Sequence, residues 1–228
     1  NKAGAVWGAR FGWERPNWFA PQNVKRRDNY SFRRSNWFEH VGNEVRATRE
    51  NVGLIELSSF SKFEIEGRSA REYIDKLVAN NIPKNVGALS LVHALNPSGS
   101  IRSEFTITRL SDGILGEKFF LVGPGAAHNI DLDFLQKSLP KDGSVHLSDK
   151  TNQYGVFVLA GPNARSVLQK IADADISNES FKWLSMQEIP IGFCPNVRAM
   201  RVNFVGSLGW ELHHPIEYQL QLFEALQE

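Results

Sequence analysis

The feature that most constrains the fold is a repeated alternation of short strand-like runs with short amphipathic helices. Residues 62–66 alternate polar and apolar side chains, as a half-buried strand does. Apolar residues recur at helical spacing from Ala70 to Val78. Strands at 88–95 and 101–109, joined by a turn at 96–99, complete this pattern. Further elements predicted in this half are a helix from a cap at Asn43 to about Gly53, a strand at 118–122 and a helix ending near Ser138.

The second half of the chain repeats the pattern. The predicted elements are a strand at 154–160, a helix from Pro162 to about Ala172, strands near 197–204 and 209–213, and a helix opening near Pro215. Together the two halves indicate an α+β fold with largely antiparallel sheets and helices on one face. Because the chain ends inside the last predicted helix, we expect the natural polypeptide to continue.

Residues 1–40 differ from the rest. Four of the six tryptophans, Trp7, Trp13, Trp18 and Trp37, lie here among Arg and Pro without a sustained helical or strand period. So many aromatic side chains are not typical of a disordered tail. We predict an irregular extension whose rings dock on another domain, with a cation–π or stacking site as the alternative.

Composition and charge exclude several classes of function. The 228 residues carry 26 basic and 25 acidic side chains, a formal net charge of +1. This balance gives no reason to expect nucleic acid or a membrane surface as a partner. No apolar run approaches the roughly 20 residues that a transmembrane helix needs. The single cysteine, Cys194, cannot form an internal disulfide and fits a reducing compartment.

Common catalytic and cofactor motifs are also missing. The segment Gly123-Pro124-Gly125-Ala126-Ala127-His128 has His where a dinucleotide fingerprint needs its third glycine, so we predict a plain strand-to-helix turn. The six histidines show no metal-ligand spacing, and no metal site is predicted. Cys194 is interpreted as a small buried residue rather than a nucleophile.

Two segments contain carboxylates in unusual settings. In residues 95–107 a tight turn leads into a strand whose apolar side chains are interrupted by Glu104. In residues 203–212 a two-glycine loop leads into Trp210 and Glu211. A flat aromatic beside a carboxylate suits a pterin, since the carboxylate accepts two N–H bonds while the aromatic packs near the ring. From pattern alone, a solvated sheet face for Glu104 and a structural role for the second pair are the simpler interpretations.

Both segments resemble the aminomethyltransferase (glycine-cleavage T-protein) family, and more closely its flavoenzyme branch of sarcosine and dimethylglycine dehydrogenases. Residues 11–19, Phe-Gly-Trp-Glu-Arg-Pro-Asn-Trp-Phe, look like the junction that follows the flavin domain in those enzymes. Other similar blocks are 59–63, 160–165, 173–178 and 197–201. The resemblance covers essentially the whole chain. The blocks at 173–178 and 197–201, with residues 209–213, favour the sarcosine enzyme over the dimethylglycine one.

The resemblance implies a function and a set of site residues. FAD in an absent N-terminal domain would oxidise an N-methyl group, and tetrahydrofolate bound here would take up the one-carbon unit as 5,10-methylenetetrahydrofolate. Glu104 matches a catalytic acidic position that is usually Asp. Glu211 matches the carboxylate that holds the pterin, with Phe204 and Trp210 as further folate-binding positions. Phe204 stands where some relatives have Tyr, and Ser207 replaces a common Glu.

The resemblance also implies an organisation and leaves alternatives open. Residues 1–40 would form the junction after the flavin domain, and 41–228 a truncated folate-binding domain with ferredoxin-like and Greek-key lobes, lacking the C-terminal barrel. Partners would be tetrahydrofolate and the chain's own flavin domain and barrel, in a mitochondrial matrix or a bacterial cytoplasm. The alternatives are a regulatory homologue like the pyruvate dehydrogenase phosphatase regulatory subunit, whose Ser-Ser-Phe-x-Lys-Phe-Glu segment is similar to residues 58–64, and a stand-alone aminomethyltransferase.

Overall fold

A computed structural model describes residues 2–203 and 206–228 of the chain. Its strands are β1 (Ala5–Arg10), β2 (Trp13–Phe19), β3 (Gly53–Glu56), β4 (Ser61–Gly67), β5 (Leu89–Leu95), β6 (Ile101–Arg109), β7 (Glu117–Gly123), β8 (His146–Asp149), β9 (Tyr154–Ala160), β10 (Met186–Ile191), β11 (Cys194–Met200) and β12 (Gly209–Pro215). Its helices are α1 (Phe38–Glu50), α2 (Ala70–Leu77), α3 (His128–Lys137), α4 (Ala164–Ile171) and α5 (Gln219–Ala225). Short 3₁₀ turns at Gly125–Ala127 and Ile216–Tyr218 precede α3 and α5.

The two halves share one topology. The first half runs β4-α2-β5-β6-β7-α3 and the second runs β9-α4-β10-β11-β12-α5. Sheet I has the order β5-β6-β7-β4-β8, and sheet II has the order β10-β11-β12-β9-β3. In both sheets the first strand of the half lies beside its fourth, and all neighbours pair antiparallel. The α+β class with mostly antiparallel sheets is confirmed.

Each half supplies one strand to the sheet of the other half. β3 precedes the first half but pairs with β9 of the second, through Gly53↔Ala160 to Glu56↔Phe157. β8 precedes the second half but pairs with β4 of the first, through Phe63↔Asp149 to Glu66↔His146. The chain therefore crosses between the sheets immediately after β3 and again after β8, which ties the two halves into one domain.

Each sheet has a helix-covered face and a face toward the other sheet, because successive strand residues point to opposite sides. On sheet I, Phe119 and Leu121 of β7 pack under α2 and α3, whereas Phe120 and Val122 point the other way. On sheet II, Phe157 and Leu159 pack under α4 and α5. The apolar contact between the sheets is formed by Leu89, Leu110, Phe120, Val122, Met186 and Met200.

Residues 5–19 of the N-terminal segment form a hairpin, so the prediction of an irregular extension was wrong for this part. β1 and β2 pair antiparallel around a turn in which Phe11 and Gly12 adopt φ of 53° and 85°. Trp18 is buried against Val6 and Val41, donates its indole N–H to Asp28 over 2.8 Å and stacks on His40. The aromatic density thus serves partly as a small local core, and the expected boundary at residues 40/41 falls inside α1.

Several predicted element boundaries also move. Asn43 was predicted to cap α1, but the helix begins at Phe38, five residues earlier in the chain, and Asn43 lies within it. α4 begins at Ala164 rather than at Pro162. The edge strands β3 and β8 were not predicted, because four residues are too few to show a clear period. None of the helices in the described part of the chain is long and apolar enough to cross a membrane.

Candidate functional site

Glu104 lies on β6 and forms a cross-strand pair with His93 on β5. The two residues are direct partners in the sheet register, and His93 Nε2 lies 2.8 Å from Glu104 Oε2. The tight turn between these strands fixes that register: Gly99, with φ of 82°, donates its backbone N–H to the Asn96 carbonyl. The Glu104 side chain is 48% exposed, so this carboxylate is both positioned and accessible to a ligand.

Glu211 lies on β12, on the face that looks toward sheet I, and it is almost fully buried. Its Oε2 atom lies 3.2 Å from Nε2 of His213, which has no exposed surface. Burial lowers the pKa of His213 and outweighs the opposing hydrogen bond and charge of Glu211. An ionised carboxylate can only accept, so a neutral His213 carries its hydrogen on Nε2 and donates it to Glu211. The ring of His213 meets Phe120 of sheet I edge-on, with centroids 5.4 Å apart.

Trp210 points to the opposite side of the sheet from Glu211. It has no exposed surface and belongs to the helix-covered core of sheet II, beside Phe181. The expectation that Trp210 and Glu211 contact one ring together was therefore wrong, since neighbouring residues in a strand face opposite ways. Phe204, the third predicted folate-binding position, lies outside the described residues.

The interface between the sheets contains a buried charged network that sequence reasoning missed. Glu64 of β4 forms ion pairs with Lys118 Nζ at 2.9 Å and with Arg198 Nη1 at 2.8 Å. Burial alone would raise the pKa of Glu64, but these two cations outweigh it, and its pKa is lowered. The Arg198 guanidinium also lies over the rings of Phe120 and Tyr154, at 4.8 and 4.7 Å. The alternation in residues 62–66 correctly predicted this strand. It did not predict that the polar face of the strand is buried against the other sheet.

Lys62 lies on the same face of β4 and is fully buried. Its ammonium donates to the backbone carbonyls of Ser58, Phe60 and Thr151 at 2.9, 2.9 and 3.2 Å. Burial lowers the pKa of Lys62 to about 8. With all three donors used by backbone, Lys62 holds the crossing from β3 to β4 rather than facing a ligand.

The two predicted carboxylates lie at different points along the interface. Thr108 Oγ1 is 3.9 Å from the sulfur of Met200, and Met200 is the direct register partner of Glu211. Glu104 precedes Thr108 by four residues on β6, which is roughly 13 Å along the strand. Glu104 and Glu211 therefore cannot share one hydrogen-bonding group, and an extended ligand would be needed to contact both.

Other candidate chemistry involves other residues. A cavity of about 460 Å³ opens where the loop after β6 meets β10, and residues that line it include Asp112, Lys118, Glu188 and Arg198. Within residues 2–203 and 206–228, no three side chains of His, Cys, Asp or Glu gather as a metal ion would require. Cys194 is buried, and burial raises the pKa of its thiol, which argues against nucleophilic use. The segment 123–128 is a strand-to-helix turn that leads from β7 into α3.

Comparison with known proteins assigns this chain to a family. The family model described as the GCVT N-terminal domain matches residues 1–228. The crystal structure of the glycine cleavage system aminomethyltransferase T from Bartonella henselae superposes with a TM-score of 0.77, covering 99% of this chain and 54% of that one. At 23% identity, this similarity shows the shared fold.

Three mammalian mitochondrial proteins show the relation in sequence. Mouse dimethylglycine dehydrogenase is 38% identical over 96% of this chain. The mouse pyruvate dehydrogenase phosphatase regulatory subunit is 32% identical over 98%, and human sarcosine dehydrogenase is 29% identical over 98%. The aligned regions are 25%, 26% and 28% of those proteins, so the chain spans about a quarter of their length. Sequence identity is higher to the dimethylglycine enzyme than to the sarcosine enzyme, which is the opposite of the expectation from the sequence blocks.

Proposed function

The chain belongs to the GCVT N-terminal domain family, and on that premise we propose that it binds tetrahydrofolate within a flavin-dependent dehydrogenase of N-methylated amines. The observation that carries this proposal is the buried pair of Glu211 and His213. A neutral His213 donates to one carboxylate oxygen, and in this proposal the second oxygen would accept from the ligand. A fixed carboxylate at an interface between two sheets is a suitable acceptor for the paired N–H donors of a pterin.

The reduced pterin would supply the nitrogens that take up a one-carbon unit, giving 5,10-methylenetetrahydrofolate. In this proposal Glu104 acts as the acid–base group, because it is accessible and oriented by His93. Phe204 and the loop before β12 would contribute further folate contacts. The buried Trp210 would support the strand that carries Glu211 rather than stack on the pterin.

The amine oxidation step belongs to another part of the full-length protein. FAD does not fit this chain, because segment 123–128 lacks the third glycine and its strand β7 pairs antiparallel with both neighbours, β4 and β6, rather than lying in a parallel sheet. We assign FAD to a flavin domain preceding this one, with residues 1–40 at the junction and residues 41–228, followed by a C-terminal barrel, forming the folate-binding part. The dehydrogenase relatives are named as mitochondrial, and a mitochondrial matrix or bacterial cytoplasm suits this chemistry.

A regulatory role is the second candidate. It is favoured by the 32% identity to the pyruvate dehydrogenase phosphatase regulatory subunit. In that role the buried pair of Glu211 and His213 would be structural, and tetrahydrofolate would not bind.

Titration of the chain with tetrahydrofolate by isothermal calorimetry under anaerobic conditions tests the proposal. Saturable binding that weakens in Glu211→Gln but not in Glu224→Gln, an exposed carboxylate on α5, is the expected result. The full-length protein is then assayed for turnover with dimethylglycine and sarcosine. Absence of folate binding in both the chain and the full-length protein would favour the regulatory role.

A further inference from the structure

Two arginines on the helix-covered side of sheet II converge on one neutral side chain. Arg165 lies in the first turn of α4, and Arg201 directly follows β11. Their guanidinium groups both donate to Oδ1 of Asn178, over 2.7 and 2.6 Å. Both also lie over the ring of Trp210, with guanidinium carbons 5.7 and 5.8 Å from a ring centroid.

No ion pair in the described part of the chain neutralises these two cations. Among the described residues neither arginine forms an ion pair, and Nε of Arg165 is buried without a hydrogen-bond partner. The residues outside the described part, at 1, 204 and 205, are Asn, Phe and Val and have no acidic side chains. The nearby carboxylate of Asp175 accepts from Ser180 and Ser177, and these hydrogen bonds together with the charge of Arg165 lower its pKa, but it forms no ion pair with either arginine. Burial and the charge of Arg165 lower the pKa of Arg201, as expected where two like charges meet.

The position of Asn178 shows what the arginines could hold. Its amide oxygen sits where two N–H donors from two different guanidinium groups meet, which is where an anionic oxygen forms the strongest hydrogen bonds. Asn178 is exposed, so its side chain can leave without opening the core. The N-terminal end of α4 adds positive potential at Arg165 and so favours an anion further.

We propose that Arg165 and Arg201 form a binding site for a small oxyanion, a carboxylate or a phosphate, whose oxygen displaces the Asn178 amide. The site lies on the opposite face of sheet II from Glu211 and does not depend on folate binding. The alternative is that the arginines only pin the loop at 175–182, since Arg201 also donates to the Phe181 carbonyl.

Calorimetric titration of the chain with inorganic phosphate and, separately, with glutarate tests the proposal, at an ionic strength held constant with sodium chloride. Binding of at least one ion is expected, and which ion binds distinguishes a phosphate from a carboxylate ligand. Arg165→Gln and Arg201→Gln should each weaken that binding about tenfold or more, as loss of a hydrogen bond to a charged group does.

Substitution of Asn178 separates a binding site from a structural pin. Asn178→Ala keeps both guanidinium groups, removes the competing amide and should tighten oxyanion binding. Asn178→Asp places a carboxylate between the arginines and should abolish binding while raising the melting temperature. Circular dichroism confirms folding of each variant. The proposal is overturned if phosphate and glutarate bind the wild-type chain and Asn178→Ala no better than they bind Arg165→Gln. The two arginines would then serve only to hold the loop at 175–182.

Discussion

His213 and Glu211 project from the same face of β12, and the imidazole Nε2 of His213 lies 3.2 Å from the Glu211 carboxylate. Residues two apart in a strand share a face, so this contact follows directly from the strand geometry. Burial keeps the imidazole neutral, and a neutral donor can orient the carboxylate without cancelling its charge. Glu211 is therefore oriented by a hydrogen bond from a neutral ring.

Replacing Glu211 by Gln should weaken tetrahydrofolate binding by about 1.5–3 kcal/mol, which is about 10- to 150-fold in Kd. The amide preserves shape and still accepts from His213, but it loses the charge that strengthens hydrogen bonds to the pterin. Calorimetric titration measures the effect, with Glu224→Gln as the matched exposed control. An unchanged Kd in Glu211→Gln would remove Glu211 from the ligand site.

Glu104→Gln should act on the transfer step and leave folate affinity nearly intact. Loss of a positioned acid–base group typically costs roughly 10²–10⁴ in rate. In the full-length protein we expect free formaldehyde to be released in place of 5,10-methylenetetrahydrofolate, while amine oxidation followed with a redox dye is unchanged. Glu188→Gln is the control, because its side chain is 53% exposed on a strand, similar to the 48% of Glu104. Equal product partitioning in the two variants would contradict the role of Glu104.

Glu64→Gln should destabilise the chain by roughly 3–5 kcal/mol, because the buried Arg198 would then lie beside a neutral amide and Lys118 would lose its partner. The lowered pKa of Glu64 means that this stabilisation is present above the unfolded-state value of 4.5 and is lost as pH falls through the lower folded-state value. Urea unfolding at pH 7 measures the difference. Glu188→Gln removes an exposed partner of the same Arg198 and should cost about 1 kcal/mol or less.

Asp131→Asn should stabilise the chain at neutral pH. Asp131 is fully buried on α3, and burial raises its pKa despite the hydrogen bond from Ser103. The raised pKa means that the protonated side chain contributes to the free energy of unfolding. This contribution is fully present below the unfolded-state pKa of 3.8 and is lost as pH rises through the higher folded-state pKa. The amide keeps an acceptor for Ser103 and carries no charge. Thermal unfolding at pH 7 and pH 4 should show a higher melting temperature for Asp131→Asn only at pH 7; a gain of the same size at both values would assign the effect to packing.

Local pattern was sufficient for most of the regular elements. The apolar run of β9, the helical spacing of α2 and the turn that joins β5 to β6 each contain their own signal within ten residues. Family blocks also singled out Glu104 and Glu211 as candidate site residues. Because strands alternate, the sequence alone already contained the fact that Trp210 and Glu211 must face opposite ways.

What only the tertiary structure decided is which polar strand face is buried and against what. The amphipathic pattern of β4 is the same whether its charged side faces water or another sheet, and the exchange of β3 and β8 between the halves leaves no local mark. The ion pair between Glu64 and Arg198 joins residues far apart in the chain, and so does the meeting of Arg165 and Arg201 at Asn178. Such contacts depend on how the two sheets pack, and the free energy of that packing is a property of the whole domain rather than of any segment.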